Sequence, residues 1–166
     1  MNAAVHAQDR SNGHPRSFSF RGCVALAIIL VVNHKSSNIA ALIHSHGNRG
    51  FDAHYLGYFE CFNRQLFFEA HEVLEELWLA QRGQPDDLFY KGLIQLAGAF
   101  VHIQKQRRGP ALALLNLARI NLRRYPTVHQ SLDLAEVLRC IGDYMQQLEA
   151  EPKVPIESVR WPKLIL

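Results

Sequence analysis

"FFEAHEVLEELW", Phe67 to Trp78, decides how this chain is read, because five of its twelve residues are Glu or His within an otherwise apolar segment. At about 100° per residue, the pitch of an α-helix, Leu66, Phe67, Ala70, Val73, Leu74 and Leu77 fall on one broad apolar face. His71 and Glu75 lie together at its border, one turn apart and beside Trp78, while Glu69 and Glu76 occupy the other flank. Glu72 points away from the apolar centre, yet its neighbours there are Phe68 and Leu79. The pattern therefore predicts a helix with neighbours on two sides and with some acids partly buried. A buried carboxylate needs a donor, a cation or a proton, because its bare desolvation is costly.

Helical periodicity continues on both sides of this segment, and Gly and Pro punctuate it. A first helix is predicted over about Phe51 to Asn63. The helix carrying the quoted stretch stops before "RGQP", where Gly83 can close it and Pro85 opens the next. A third starts at Asp86 and Asp87, acids favoured by the helix dipole, and runs to about Gln106. "RGP" at 108–110 breaks the chain and places Pro110 in the first turn of a fourth helix, which ends at "RRYP". Ser131 is placed to cap a fifth, reaching about Glu149 before Pro152. No strand-like alternation competes. Short connections imply an all-α fold, a compact antiparallel bundle of about five helices.

The domain organisation follows from the contrast around this bundle. Residues 1–50 are predicted to be a disordered or loosely packed extension, 51–150 the bundle domain, and 151–166 a tail. The first 22 residues are rich in Ser, Asn, Gly, His and Arg without periodicity. Within residues 1–41, Arg10, Arg16 and Arg21 precede the apolar run Cys23–Val32, the layout of a secretory signal. That run is followed by "NHKSSN" rather than by a small-residue cleavage site, and ten residues are too few to span a bilayer. A cytoplasmic location is the expectation, supported by three well-separated cysteines that form no CxxC. His44 and His46 are read as incidental to a polar linker.

Composition excludes more than it assigns. An apolar fraction of 48%, a charged fraction of 20% and a net charge of +3 describe an ordinary globular domain. That charge is too small to argue for nucleic acid or an anionic membrane. The basic residues of "KQRR" and of Arg119, Arg123 and Arg124 sit where helix C-termini favour cations, with no interleaved aromatic platform. A weak nucleic-acid or protein interaction through the basic fourth helix is kept only as an alternative.

"CFNRQLFFEAHEVLEELW" followed by "FYKGLIQLAGAFVHIQ" resembles the family described as domain of unknown function 309, a group of small all-helical proteins. Asn63, Glu69, Ala70, His71, Glu72, Leu74, Glu75 and Trp78 carry the resemblance in the first block. Gly92, Leu93, Ile94, Gln95, Ala97, Ala99 and His102 carry it in the second, and "RRGPALALLNLARINL" continues it. It covers about Tyr55 to Tyr144 and implies the fold, with no established activity. Residues 1–50 lie outside it, as an addition or a misassigned start.

The chemistry must then be argued from residues. The third helix places Gln95, Ala99 and His102 on one stripe, with Gly92 and Gly98 close by to admit another backbone. The candidate cluster is Asn63, Glu69, His71, Glu72, Glu75, Trp78, Gln95 and His102. Its expected role is a buried hydrogen-bond network fixing helix register, with a small-molecule pocket among the uses open to it. The competing reading is a metal hydrolase: "HEVLE" differs from the zinc pattern HExxH by having Glu75 at the second histidine's place. His71, Glu75 and His102 would be its metal ligands and Glu72 its base. A di-iron bundle needs Glu-x-x-His on two helices, and Phe68 and Ala99 stand where those acids belong. No motif calls for a cofactor. Whether the protein is an enzyme is left open by the residues, and a homo-oligomer is compatible with them.

Overall fold

The computed structural model describes residues 50–150 and 162–166. The extension before Gly50, with its apolar run Cys23–Val32 and the His44/His46 pair, lies outside the described residues, as do residues 151–161 of the tail. Five helices follow one another: α1 Ala53–Asn63, α2 Phe67–Ala80, α3 Asp87–Gln104, α4 Arg108–Leu122 and α5 Leu134–Glu149. Consecutive helices pack against each other, as short connections between antiparallel neighbours require. Among the described residues, no helix is long and apolar enough to cross a membrane.

Local chemistry explains the boundaries. Asp52 caps α1 by accepting the His54 amide at 2.8 Å, so the helix begins two residues after Phe51. α1 and α3 end in the same way. Gln65 and Gln106 take left-handed backbone angles, φ 62° and 57°. Behind them the amides of Leu66 and Arg107 reach back to the carbonyls of Cys61 and His102, at 2.9 Å each. That is the Schellman closure, which usually uses glycine at the left-handed position. The Gln104 side chain donates to the Gln65 carbonyl at 3.0 Å and ties the two turns together. Gly83, with φ 76°, supplies the same freedom between α2 and α3.

One expectation needs correcting. Val128–His129 and Leu132–Asp133 pair as a two-residue antiparallel hairpin, so a minimal sheet precedes α5. Gln130 and Ser131 form its turn with φ 48° and 61°. Ser131 therefore does not cap α5. Asp133 does, accepting the amides of Ala135 and Glu136 at 2.9 and 3.1 Å.

The core is strongly aromatic. Phe62, Phe67, Phe100 and Tyr144 meet ring against ring with centroids 4.8–5.3 Å apart, linking α1, α2, α3 and α5. Tyr55, Tyr58 and Phe59 extend this layer along α1 toward Phe89 and Tyr90 on α3. α4 contributes Ala111, Leu115, Ala118 and Leu122, all fully buried. Small residues bring α3 and α4 close: a Cβ added at Gly92 would lie 2.8 Å from Leu122.

Candidate functional site

α2 turns the face Phe67, Ala70, Val73, Leu74 and Leu77 into the core, as its periodicity predicts. That orientation leaves His71, Glu75 and Trp78 half-buried along one edge. His71 lies over α3 where Gly98 stands: a Cβ there would be 3.9 Å from the imidazole Cδ2 and 3.3 Å from Leu114 of α4. Only the leucine would be crowded by a side chain there; the imidazole stands at ordinary contact distance where α2, α3 and α4 meet. His71 and Glu75 form no hydrogen bond or ion pair among the described residues.

Their polar neighbours are engaged elsewhere. The Trp78 indole donates to the Asp87 carboxylate at 2.6 Å, and the other Asp87 oxygen accepts the Gly83 amide at 2.9 Å. These bonds, the Gly83 amide first, hold the Asp87 carboxyl below its ordinary pKa. Arg82 and Lys91 approach the Trp78 ring at 5.1 and 5.9 Å. Gln95 accepts from the Asn121 amide at 2.8 Å, an α3–α4 bond rather than a bond to an α2 carboxylate. His102, half-buried on the same stripe of α3, has a shielded Nδ1 without a partner.

The remaining cluster members lie apart. Asn63 ends α1 and holds the main chain of Leu164 through two bonds of 2.8 Å, far from Gln95 in role and in partner. Glu69 is on the opposite flank of α2, near Cys61. Burial, followed by the charges of Glu69 and Glu60, pushes the Cys61 thiol up to about 11, so it is a poor nucleophile. Glu72 is half-buried, but Phe68 and Leu79 beside it are 40% and 53% exposed. The second apolar side of α2 is therefore partly open to solvent among the described residues. No group of three or more His, Cys, Asp or Glu side chains is placed to hold a metal ion among the described residues, so His71, Glu75 and His102 are not gathered around a common point.

The basic residues divide into two groups. Lys105 and Arg107 are exposed at the start of α4, where Arg108 donates to the Leu148 carbonyl of α5 at 3.4 Å. Arg123 and Arg124 are exposed at its end, and Arg119 is turned to Asn116 at 2.8 Å. A helix of 15 residues separates the two ends, about 22 Å at 1.5 Å per residue.

A second polar centre escaped sequence reasoning. Asp86 accepts from the Gln130 amide at 2.7 Å and pairs with the His129 imidazole at 2.8 Å, fastening the hairpin to the start of α3. The His129 ring packs on Phe89 and Tyr125, and the Tyr125 hydroxyl bridges the Phe89 amide and the Pro85 carbonyl at 2.9 Å each. Asp86 and His129 are 43 residues apart, so no local spacing announces them. The surplus acid at the start of α3 was the available signal.

Residues 55–114 match the family model described as "Domain of unknown function (DUF309)", starting where the sequence resemblance starts and ending short of Tyr144. The chain is similar to "Uncharacterized protein YpuF" of Bacillus subtilis (strain 168), 32% identical over 85 residues, 50% of this chain and 49% of that protein. The chain thus spans about half the length of this curated relative. No solved structure matches the chain.

Proposed function

With residues 55–114 placed in the family of domain of unknown function 309, whose description names no activity, we propose that the bundle is a binding module. Its contact edge is formed by His71, beside Gly98, and by Glu75 one turn further along α2. One observation carries this reading: both side chains are half-buried, one turn apart, and neither has a partner in the described protein. Trp78, Gln95 and Asn121 are bonded within the fold, whereas the polar atoms of His71 and Glu75 are not among those sealed from solvent and are left for water or a ligand. An ionised carboxylate only accepts and an imidazole can donate or accept. The chemistry they recognise is a small ligand bearing an amine, guanidinium or amide. A structural network through Gln95 has less support, because its one described bond runs to Asn121 of α4 and not to an α2 carboxylate.

A reducing cytoplasm suits the free thiols of Cys61 and Cys140. Nucleic acid is the weaker partner, since the cations sit at opposite ends of α4 rather than along one stripe.

Titrating a panel of amines, guanidinium compounds and primary amides against the full chain, followed by amide chemical shifts, tests the reading. Saturable shifts centred on α2 and Gly98, weakened at least tenfold by Glu75→Gln and by His71→Ala, are expected. Shifts indifferent to both substitutions would place binding elsewhere.

A further inference from the structure

α2 and α4 both pack on α3. One stripe of α3 is left between them: Lys91, Gln95, Gly98 and His102, at helical spacing and all half-buried. Single contacts identify its two sides. Toward α4, Gln95 is bonded to Asn121, and the space over Gly98 is bounded by Leu114. Toward α2, His71 borders that same space, and the Lys91 ammonium lies 5.9 Å from the centre of the Trp78 ring. The stripe is therefore the floor of a shallow furrow, and the His71–Glu75 edge is one of its walls.

Opposite charges are left apart along that wall. Glu75 is half-buried and forms no hydrogen bond or ion pair among the described residues. Three residues further on, about 5 Å along the helix, Trp78 has two cations against its ring, Arg82 at 5.1 Å and Lys91 at 5.9 Å. Neither cation forms a hydrogen bond or ion pair among the described residues. The acid beside them is Asp87, whose two oxygens are occupied by the Trp78 indole and the Gly83 amide. Two cations thus stand against one carboxylate, and the Trp78 end carries positive charge in excess. A ring face attracts a cation but accepts none of its N–H groups as a carboxylate would, so their donors remain for water or an anion.

We propose that the furrow binds a zwitterion, its ammonium on Glu75 and its carboxylate on Lys91 and Arg82 beside Trp78. This rests on the binding edge of His71 and Glu75 and adds an anion subsite to it. The spacing selects the ligand. In an α-amino acid the two charges flank a single carbon and cannot span a helical turn. A short ω-amino acid of the γ-aminobutyrate class separates them by about 5 Å when extended, matching the rise from Glu75 to Trp78. Each charge of such a ligand meets an unpaired group of opposite sign, and neither Glu75 nor Lys91 has a bond in the fold to give up.

Parallel titrations of the full chain with γ-aminobutyrate, glycine and n-propylamine, followed by amide chemical shifts, test this. n-Propylamine is γ-aminobutyrate without its carboxylate, so it reads the Glu75 end alone. γ-Aminobutyrate is expected to bind at least tenfold more tightly than either of the others. Lys91→Met should abolish that advantage while leaving n-propylamine affinity unchanged, and Lys91→Arg should retain it. Should Lys91→Met fail to fold by circular dichroism, the exposed Arg82 gives a second variant. Arg82→Gln should weaken γ-aminobutyrate at least threefold and n-propylamine not at all. Equal affinities for γ-aminobutyrate and n-propylamine in the unaltered chain overturn the anion subsite and leave the amine-binding edge standing. A γ-aminobutyrate advantage that survives both Lys91→Met and Arg82→Gln also overturns it. Binding of none of the three compounds overturns the subsite and the edge together.

Discussion

The Tyr58 hydroxyl donates to the Leu93 carbonyl at 2.9 Å inside the fully buried contact between α1 and α3. Burial sets the acidity of this phenol first, with the neighbouring Tyr55 acting in the same direction, and pushes its pKa well up. The other four of the five tyrosines shift the same way, and Tyr90 is pushed up to about 12, by burial before the nearby Asp86 and Asp52 charges. A group whose pKa rises on folding contributes stability fully below its unfolded value, near 10, and loses it as pH rises through the folded value. Tyrosinate absorbance is therefore expected to appear together with unfolding between about pH 10 and 12. A rise in absorbance near pH 10 that precedes loss of helical ellipticity would contradict this burial. Tyr58→Phe removes one bond and should cost about 0.5–1.5 kcal/mol in urea denaturation.

Gln65 and Gln106 adopt a left-handed backbone without the freedom of glycine. Their Cβ atoms crowd the following carbonyl, at a cost of about 1–2 kcal/mol each, partly offset because glycine is freer in the unfolded chain. Gln65→Gly and Gln106→Gly should each stabilise the protein by about 0.5–1 kcal/mol, leaving the main-chain acceptor of Gln104 at Gln65 intact. Gln104→Gly, within α3, should instead cost about 1 kcal/mol. Thermal or urea melts of the three variants check the sign; destabilisation at the two turns would mean that the glutamine side chains themselves hold them.

Gly92 and Gly98 differ although both interrupt α3. Alanine at Gly92 would meet Leu122 Cγ and Cδ2 at 2.8 Å, in a fully buried contact. Overpacking of this kind costs about 1–3 kcal/mol, against a helix-propensity gain of about 1 kcal/mol. Net destabilisation of up to about 2 kcal/mol is expected for Gly92→Ala. At Gly98 the nearest atom is the end of the half-buried Leu114 side chain at 3.3 Å, which can give way. Gly98→Ala should fall between neutral and about 1 kcal/mol more stable. Equal costs at both positions would show that the approach of α4 does not set them apart.

The five helices were legible because their apolar residues repeat at the helical period and Gly83, Pro85, Pro110 and Pro126 punctuate them. The hairpin was not: two-residue strands show no alternation, and Gln130 and Ser131 hold left-handed angles that their residue types do not advertise. Of the candidate site, the His71–Glu75 edge could be read because an i, i+4 pair is local to one helix. Asn63 could be singled out, but not its partner. That partner is a main chain 101 residues away, and no side-chain pattern encodes it. Asp86 and His129 were missed for the same reason, with packing of the hairpin on α3 bringing them together.

The His71–Glu75 edge carries a stability signature of its own. A half-buried carboxylate without a partner has lost part of its hydration and gained no bond in exchange. Glu75→Leu beside Trp78 should therefore raise stability by about 0.5–1 kcal/mol, and His71→Leu should be neutral to stabilising. Glu76 provides the control: it is exposed, its carboxylate lies 3.3 Å from the His54 imidazole, and Ala there should change stability by less than about 0.5 kcal/mol. If Glu75 belonged to a buried network, its removal would leave donors unpaired and cost about 1–3 kcal/mol. Urea denaturation of the three variants separates these cases, because the two readings of Glu75 differ in sign. A more stable Glu75→Leu that no longer shows ligand-induced shifts is the result expected of a residue kept for binding at some cost to the fold. A loss above about 1 kcal/mol would return Glu75 to a structural role and remove the basis for the binding edge.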